Sequence, residues 1–334
     1  MTDPRITTLD LADDTNGIAR ACALLRAGEL VAFATETVYG LGADATNPDA
    51  VAAIYTAKSR PHFNPLICHF PNADAAFADV IADARAILLA RHFWPGPLTL
   101  VLPHRPTSPI SAAATAALDS LAVRVPAHPI AQILLQQVAR PIAAPSANRS
   151  GRISPTSPAD VHAELDGRIA AILHSGPSIV GLESTVLDLS HPHAIPRLLR
   201  PGAITQAAIE ALIGPISLIF APSPSQTSPI LRSPGLLASH YAPTLPVRLN
   251  ATDIACHEAL LAFGANPPHA ALTLNLSPTA NLHEAASNLF NHLRRLDHDA
   301  PPQGLTAIAV SPIPRHDIGT AINDRLSRAA APRQ

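Results

Sequence analysis

The hydrophobic pattern of the first two thirds of the chain predicts strands that alternate with helices. Apolar residues recur at helical spacing in segments 16–27, 48–58 and 73–93, and we predict the last as one long helix. A turn is predicted at 40–42. Apolar runs too short for buried helices predict strands at 30–34, 66–70, 98–102, 121–125 and 142–144. Such alternation is typical of an α/β fold.

A Pro- and Ser-rich stretch at 221–229 interrupts this alternation and is predicted to be semi-rigid. Beyond it, the alternation resumes on a smaller scale. Strands are predicted at 271–276 and 305–310, and helices at 280–296 and 318–330. The predicted parts are a first domain at 1–213, a linker at 214–246 and a small α/β domain at 247–334.

Composition narrows the classes of function. The 334 residues are 47% hydrophobic, which allows a sizeable core, but only 14% are charged and the net charge is -2. This balance excludes a strongly basic nucleic-acid binder and an acidic tail at the level of the whole chain. Of the 23 basic residues only Lys58 is a lysine, and most of this bias is typical of GC-rich coding.

Cysteines and the N-terminal segment bear on the cellular setting. Cys22, Cys68 and Cys256 are isolated, so neither a zinc ribbon nor a disulfide framework is predicted, and we expect no protein-bound metal. The acidic first 14 residues do not resemble a signal peptide. No stretch reaches the ~18 uncharged apolar residues of a membrane span. We therefore expect a soluble, cytoplasmic protein.

Three groups of polar residues are candidates for chemistry. Lys58 and Arg60 end a predicted helix, where they either complement the helix dipole or bind a polyanion. Segment 145–151 follows a predicted strand and forms either an ordinary turn or an anion-binding edge of the sheet. Arg124, in a predicted buried strand, requires an anionic partner from the protein or from a ligand.

Taken together, these segments resemble one family. TETVYGLG, KSRP, NPL, FWPGPLT, PSANRSG, ESTV and LRPG occur in the order and spacing of the YrdC-like family, at 35–42, 58–61, 64–66, 93–99, 145–151, 183–186 and 199–202. HYAP at 240–243 and AINDRL at 321–326 resemble the linker motif and C-terminal helix of its longer form. Over residues 10–330 the chain thus resembles the two-domain threonylcarbamoyl-AMP synthases of this family.

The resemblance implies both a fold and an activity. The fold would be a twisted α/β sheet with a deep basic cavity, followed by a small Rossmann-like α/β/α domain. The enzyme would be a nucleotidyltransferase that joins L-threonine, bicarbonate or CO2 and ATP into threonylcarbamoyl-AMP and pyrophosphate, with Mg²⁺ bound mainly through the ATP phosphates. A downstream transferase complex would then modify the adenosine beside the anticodon of tRNA, and tRNA would contact this chain only indirectly or weakly.

The same resemblance implies roles for individual residues. The catalytic group would be Lys58, Arg60, Ser146 and Asn148. The ATP site would contain these four together with Asn64, Ser154, Arg200 and Tyr241. L-Threonine would be held by Thr37, His69, Arg124 and Ser184, with Arg124 on the substrate carboxylate. The linker residues His240 and Tyr241 would lie over the cavity and exclude water.

Three other classes of protein compete with this interpretation. An RNA-binding YrdC-like module without adenylyl transfer is disfavoured by the net charge of -2 and an aromatic content of 4%. Carbamoyltransferase-type maturation factors of the family carry zinc-binding cysteine clusters, which this sequence lacks. The GxG at 40–42 loosely matches a dinucleotide fingerprint, but the acidic residue required about 20 positions later is replaced by the basic segment 58–61.

Overall fold

The structure, a computed structural model, describes residues 7–218 and 240–332. Within these ranges the N-terminal domain contains strands β1 (Leu9–Leu11), β2 (Val31–Ala34), β3 (Tyr39–Asp44), β4 (Ile67–His69), β5 (Leu98–Pro103), β6 (Ser120–Arg124), β7 (Ile142–Ala143), β8 (Ala171–Leu173), β9 (Thr185–Asp188), β10 (Arg197–Arg200) and β11 (Ser217–Leu218). Its helices are α1 (Thr15–Arg26), α2 (Pro48–Lys58), α3 (Ala73–Ala78), α4 (Ala84–Phe93), α5 (Ala112–Thr115), α6 (Pro129–Val138), α7 (Pro158–Leu165) and α8 (Gln206–Ile213).

These strands form one mixed sheet in the order β1-β8-β2-β3-β7-β4-β6-β5-β9-β10-β11. Neighbouring residues of β2 point to opposite faces, as strand geometry requires. Val31 and Phe33 pack with α1 and α6 in one hydrophobic cluster, whereas Ala32 and Ala34 pack with α2 in another. The sheet is therefore covered by helices on both faces, and the predicted α/β class is confirmed.

The C-terminal domain is a smaller parallel sheet. It contains β12 (Val247–Arg248), β13 (Glu258–Ala262), β14 (Thr273–Asn275) and β15 (Ala307–Val310), with helices α9 (Leu282–Asp299) and α10 (Gly319–Ala329). The strands lie in the order β12-β15-β13-β14 and every pairing is parallel. This arrangement agrees with the expected Rossmann-like domain.

The two domains share a hydrophobic core. The cluster built on α9 and α10 also contains Val38, Ile153 and Leu182 of the N-terminal domain, together with Tyr241. All four side chains are at most 6% exposed. Burial of this apolar surface stabilises the docked arrangement.

Several local predictions were wrong. Residues 40–42 are not a turn but lie within β3, whose glycines allow close packing, since a Cβ on Gly42 would come 2.8 Å from the Phe33 ring. The predicted helix at 73–93 is divided into α3 and α4 because Val80 bridges to His104 and Asp83 caps the N-terminus of α4. Strands β1, β8, β12 and β13 are further elements that were not predicted.

The predicted linker falls largely on residues 219–239, outside the described residues. In its last part, residues 240–243 are buried, whereas Thr244 and Pro246 are exposed. In the described part of the chain, no helix combines the length and apolarity that crossing a membrane requires.

Candidate active site

One cavity of about 530 Å³ lies where β4, β6, β7 and β10 end. Most of its lining residues are polar, and they lie at the ends of strands or in the segments next to them, as in other open α/β sheets. The lining includes Thr35, Thr37, Arg60, His69, Arg124, Ser146, Glu183, Ser184, Arg200, His240 and Tyr241.

The end of α2 separates two buried cations. Ser59 caps the helix in the left-handed conformation (φ 51°), so the chain turns sharply between Lys58 and Arg60. Arg60 lines the cavity and donates to the carbonyl oxygens of Asn64 and Pro65, at 3.4 and 3.3 Å. Burial lowers the pKa of Arg60 to about 10, so the guanidinium remains charged at neutral pH.

Lys58 points under the 145–151 loop rather than into the cavity lining. Its ammonium donates to the backbone carbonyl oxygens of Ser146 and Asn148. The side chain is only 1% exposed, and burial, with the nearby Arg60 charge, places the pKa of Lys58 well below its usual range. The direct contacts of Lys58 therefore fix the position of the loop that carries Ser146.

The rest of this loop is held by buried amide and hydroxyl groups. The Asn148 amide donates to the carbonyl oxygens of Arg149 and Arg152, both at 2.9 Å. Ser154 donates to Glu183 Oε1. The Oδ1 atoms of Asn64 and Asn148 are buried and accept no hydrogen bond from the described residues. Such unsatisfied acceptors are costly in a folded protein unless a ligand or water completes them.

Arg124 has a protein partner, which the sequence analysis left open but could not identify. Its guanidinium lies 2.5 Å from Glu36 Oε1, and it also donates to Thr37 Oγ1 at 2.9 Å and to the Gly96 carbonyl at 3.3 Å. Glu36 Oε2 accepts from the Ala127 amide at 2.9 Å. Arg124 is thus neutralised within the protein, while two of its five N–H groups remain for a ligand.

His69 and Ser184 lie on the same cavity lining. Burial and the neighbouring Arg124 charge lower the pKa of His69 to about 3, so the imidazole is neutral. Ser184 Oγ lies 2.7 Å from Thr99 Oγ1 and accepts from Arg200 at 3.1 Å. The sequence therefore brings polar groups of β4, β6, β9 and β10 to one place.

Glu183 connects this cavity to the C-terminal domain. Arg325 of α10 is fully buried, lies 3.1 Å from Glu183 Oε2 and donates to the Pro201 carbonyl at 2.6 Å. Burial opposes ionisation of Glu183, but the Arg325 and Arg200 charges lower the pKa of this carboxyl. Gly202 lets the segment after β10 lie close to the backbone of 183–185, because a Cβ at Gly202 would come 2.4 Å from the Thr185 nitrogen.

His240 and Tyr241 complete the lining from the side of the C-terminal domain. Tyr241 is 1% exposed, adopts a positive φ of 62°, and stacks on Phe290 at 5.4 Å between ring centroids. The Arg325 guanidinium lies 5.6 Å from the Tyr241 ring centroid. Tyr241 Oη and His240 Nδ1 are buried without a partner among the described residues. A tyrosine is rarely found in this backbone region, so the surrounding packing must hold it there.

Eight of the twelve predicted site residues line the cavity: Thr37, Arg60, His69, Arg124, Ser146, Ser184, Arg200 and Tyr241. Lys58, Asn64, Asn148 and Ser154 lie behind the lining and hold it in place or present unsatisfied acceptors. Sequence reasoning missed the site roles of Glu36, Glu183 and Arg325. All three lie inside motifs that were noted, but a motif does not show which side chains pair across 88 or 142 residues.

The lining has an excess of positive charge. Three guanidiniums, from Arg60, Arg124 and Arg200, face one carboxylate, Glu183. That carboxylate is bound to Arg325, and Arg124 is bound to Glu36. Within the described residues, Arg60 and Arg200 hydrogen-bond only to carbonyl and hydroxyl oxygens of the protein. The cavity is therefore suited to an anionic ligand.

Comparisons with known proteins agree with this geometry. The family model described as "Telomere recombination", of the Sua5, YciO and YrdC proteins, matches residues 23–202. A second family model, the C-terminal domain of threonylcarbamoyl-AMP synthase, matches residues 204–331. Together they cover both domains of the chain.

Individual relatives carry the same name. The chain is 49% identical over 244 residues to threonylcarbamoyl-AMP synthase of Bacillus subtilis, covering 72% of this chain and 69% of that protein. It is 38% identical over 328 residues to the Pyrococcus abyssi protein of that name, covering 93% of both. The crystal structure of P. abyssi Sua5 complexed with L-threonine superposes with a TM-score of 0.85 at 34% identity, covering 97% of both chains. The chain therefore belongs to the two-domain form of the YrdC-like family, whose curated relatives are named threonylcarbamoyl-AMP synthases.

Proposed function

We propose that this protein forms threonylcarbamoyl-AMP and pyrophosphate from L-threonine, bicarbonate or CO2 and ATP. The observation that carries the proposal is the pair of buried guanidiniums, Arg60 and Arg200, which face one cavity without a protein carboxylate of their own. A polyphosphate supplies the negative charge that such cations require. The relatives' shared name and the L-threonine bound to P. abyssi Sua5 support the same conclusion.

In this proposal the nucleotide occupies the Arg60, Arg200 and Ser146 side of the cavity. Lys58 holds the loop of Ser146 through two backbone carbonyls, so it acts on the phosphates mainly by placing that loop. The unsatisfied Oδ1 atoms of Asn64 and Asn148 and the Tyr241 hydroxyl are available to the rest of the nucleotide.

Threonine lies beside Thr37, His69, Arg124 and Ser184. The two N–H groups that Arg124 does not use in the protein bind the substrate carboxylate, and Glu36 fixes the guanidinium from the other side. The neutral His69 offers a hydrogen bond but is a weak base, because its pKa is about 3. We therefore assign it to substrate binding and not to removal of the amine proton.

The reaction then requires alignment and charge neutralisation. The threonine amine adds to CO2 and loses a proton, and a carbamate oxygen bonds to the α-phosphorus while the bond to the pyrophosphate oxygen breaks. Positioned cations stabilise the charge that accumulates on the transferred phosphoryl group and on the leaving pyrophosphate. Arg60 and Arg200 are the lining cations that remain uncommitted to a protein carboxylate.

Mg²⁺ in this proposal is carried by the ATP phosphates and water. The lining holds one carboxylate, Glu183, whose two oxygens accept from Ser154 and Arg325. A site so poor in free oxygen ligands fits an ion that enters with its nucleotide. The product would serve threonylcarbamoyladenosine formation in tRNA through a downstream transferase complex, in the cytoplasm.

A pyrophosphate-release assay with ATP, Mg²⁺, L-threonine and bicarbonate tests the activity. Release should depend on both threonine and bicarbonate. Arg60→Gln should lower kcat/KM by about 10- to 150-fold, the equivalent of about 1.5–3 kcal/mol for one charged hydrogen bond. Arg20→Gln, at an exposed position, is the matched control and should not change it. Pyrophosphate release that ignores threonine would contradict the proposal.

A further inference from the structure

A second cluster of ligating side chains lies on the edge of the large sheet, outside the cavity lining. Asp10 is in β1, His162 in α7, and His174 directly follows β8. They meet because β1 pairs in parallel with β8, with Asp10 opposite Ile172, and the His174 amide donates to the Leu11 carbonyl at 2.8 Å. The fold therefore gathers residues that are 152 and 164 positions apart in sequence.

The three groups converge on one point. The Nε2 atoms of His162 and His174 each lie 2.6 Å from the same oxygen, Asp10 Oδ1. All three ligand atoms are within 4.8 Å of one another. Two imidazole nitrogens and a carboxylate oxygen are one of the donor sets that bind zinc in sites with three protein ligands and an open fourth position.

We propose that Asp10, His162 and His174 form a binding site for Zn²⁺. Around a tetrahedral ion with bonds of ~2.0 Å, ligand atoms lie about 3.3 Å apart, so Asp10 Oδ1 and each imidazole nitrogen, now 2.6 Å apart, must separate by about 0.7 Å. The side chains can do so, since Asp10, His162 and His174 are 58%, 33% and 41% exposed. Their exposure also leaves the fourth coordination position to water.

The competing explanation is a hydrogen-bonded cluster without a metal, in which both imidazoles donate to Asp10. These contacts with Asp10 lower the pKa of its carboxyl, chiefly through the His162 hydrogen bond, and keep it ionised as a metal would also require. The two explanations differ in what addition of zinc does. If the cluster is a metal site, zinc binds with a stoichiometry of one and stabilises the fold. If it is only a hydrogen-bonded cluster, zinc does neither.

The test is titration of the tag-free full chain with ZnCl2 by calorimetry, with thermal unfolding followed in parallel. We expect one equivalent to bind and to raise the Tm. His174→Ala should weaken binding by more than ~100-fold, because even loss of an outer-shell partner weakens metal affinity by about 10- to 100-fold. Co²⁺ in place of Zn²⁺ should give the visible absorption bands of a low-coordinate site in the wild-type chain but not in this variant.

The chain supplies a matched control. His316 lies 3.0 Å from Asp317 and is exposed, like the proposed ligands, but the described residues offer it no second histidine. His316→Ala should therefore bind zinc as the wild type does. If His174→Ala misfolds, Asp10→Asn provides the second variant, since an amide retains the shape but not the charge. Equal zinc affinity in wild type, His174→Ala and Asp10→Asn, or no stoichiometric binding at all, would overturn the proposal.

Discussion

Two arginines of the C-terminal domain form ion pairs with carboxylates of the N-terminal domain, and the two pairs differ in burial. Arg325 of α10 is fully buried, binds Glu183 on the cavity lining and lies near the Tyr241 ring. Arg294 of α9 is 21% exposed and lies 3.2–3.3 Å from Asp160 and Glu164, on α7. Both contacts join the domains, but only the first involves residues of the active-site cavity.

The difference lies in what each carboxylate keeps when its arginine is removed. Asp160 still accepts from the backbone amides of Thr156 and Ser157, and Glu164 still pairs with Arg149. Glu183 would keep the Ser154 hydroxyl and the field of Arg200 but would lose its only ion pair within the described residues. A buried charge that loses its only ion pair is far more costly than one that keeps other partners.

The largest effect is therefore expected from Arg325→Gln. Leaving Glu183 buried without its ion pair should cost about 3–5 kcal/mol of unfolding free energy. Urea unfolding measures this cost, and pyrophosphate release should fall with it because Glu183 and Tyr241 both line the cavity. Adding Glu183→Gln to this variant should restore part of the stability but not the activity. If the double variant were as unstable as the sum of the singles, the Arg325–Glu183 pair would not be the cause.

A counterpart within one domain is Lys58→Arg. Lys58 resembles Arg325 in being fully buried and bound to backbone carbonyls, although it joins a helix to a loop instead of two domains. The bulkier planar guanidinium cannot place a compact charge between the two carbonyls, so about 1.5–3 kcal/mol of stability should be lost and turnover impaired. Near-normal turnover of Lys58→Arg, measured by pyrophosphate release, would show that the loop does not depend on the ammonium.

The cavity beside the buried Arg325–Glu183 contact should also make stability sensitive to acid. Burial lowers the pKa of His240, beside Glu183, to about 3, against an ordinary value of 6.5. Below pH 6.5 the unfolded chain therefore binds a proton at His240 that the folded chain does not bind. The stability present above pH 6.5 is lost as the pH falls, by about 1.4 kcal/mol per pH unit for one such histidine. Urea unfolding between pH 7 and 5 should show a shallower pH dependence for His240→Gln. An unchanged slope would contradict this assignment.

The smallest effect is expected from Arg294→Gln. Because Asp160 and Glu164 keep other partners, the loss should be about 1 kcal/mol or less, with unchanged kcat/KM. This variant is the matched control for Arg325→Gln, since both remove one interdomain guanidinium. If the two variants impaired turnover equally, docking of the domains in general, and not the Arg325 contact, would support the site.

These contacts also show how far sequence reasoning extends. Helix α2 was predicted at its observed bounds, because Asn47 caps it, Pro48 begins it and the charged Lys58 ends it, which are all local effects. Strand β3 was missed because its glycines favour a turn locally, and only packing against Phe33 and Ile142 makes them necessary. The motifs correctly predicted that Arg60 and Arg200 belong to the cavity.

Pairings between distant residues could not be predicted in the same way. Arg124 was expected to need an anion, and its sequence environment does not reveal that Glu36, 88 positions earlier, provides one. Lys58 was expected at the phosphates, yet its nearest partners are carbonyls of a loop 88 and 90 positions away. A charged residue in an apolar strand or helix predicts that the residue has a partner, but only the folded topology identifies that partner.

The separation of Glu183 and Arg325 has a consequence for biosynthesis. The two residues are 142 positions apart, so at about 5–20 residues per second a ribosome needs roughly 7–28 s to proceed from one to the other. During that interval the nascent N-terminal domain holds Glu183 without its ion pair, and His240 and Tyr241 are made before Arg325. Synthesis order thus withholds a complete active site until translation has passed α10.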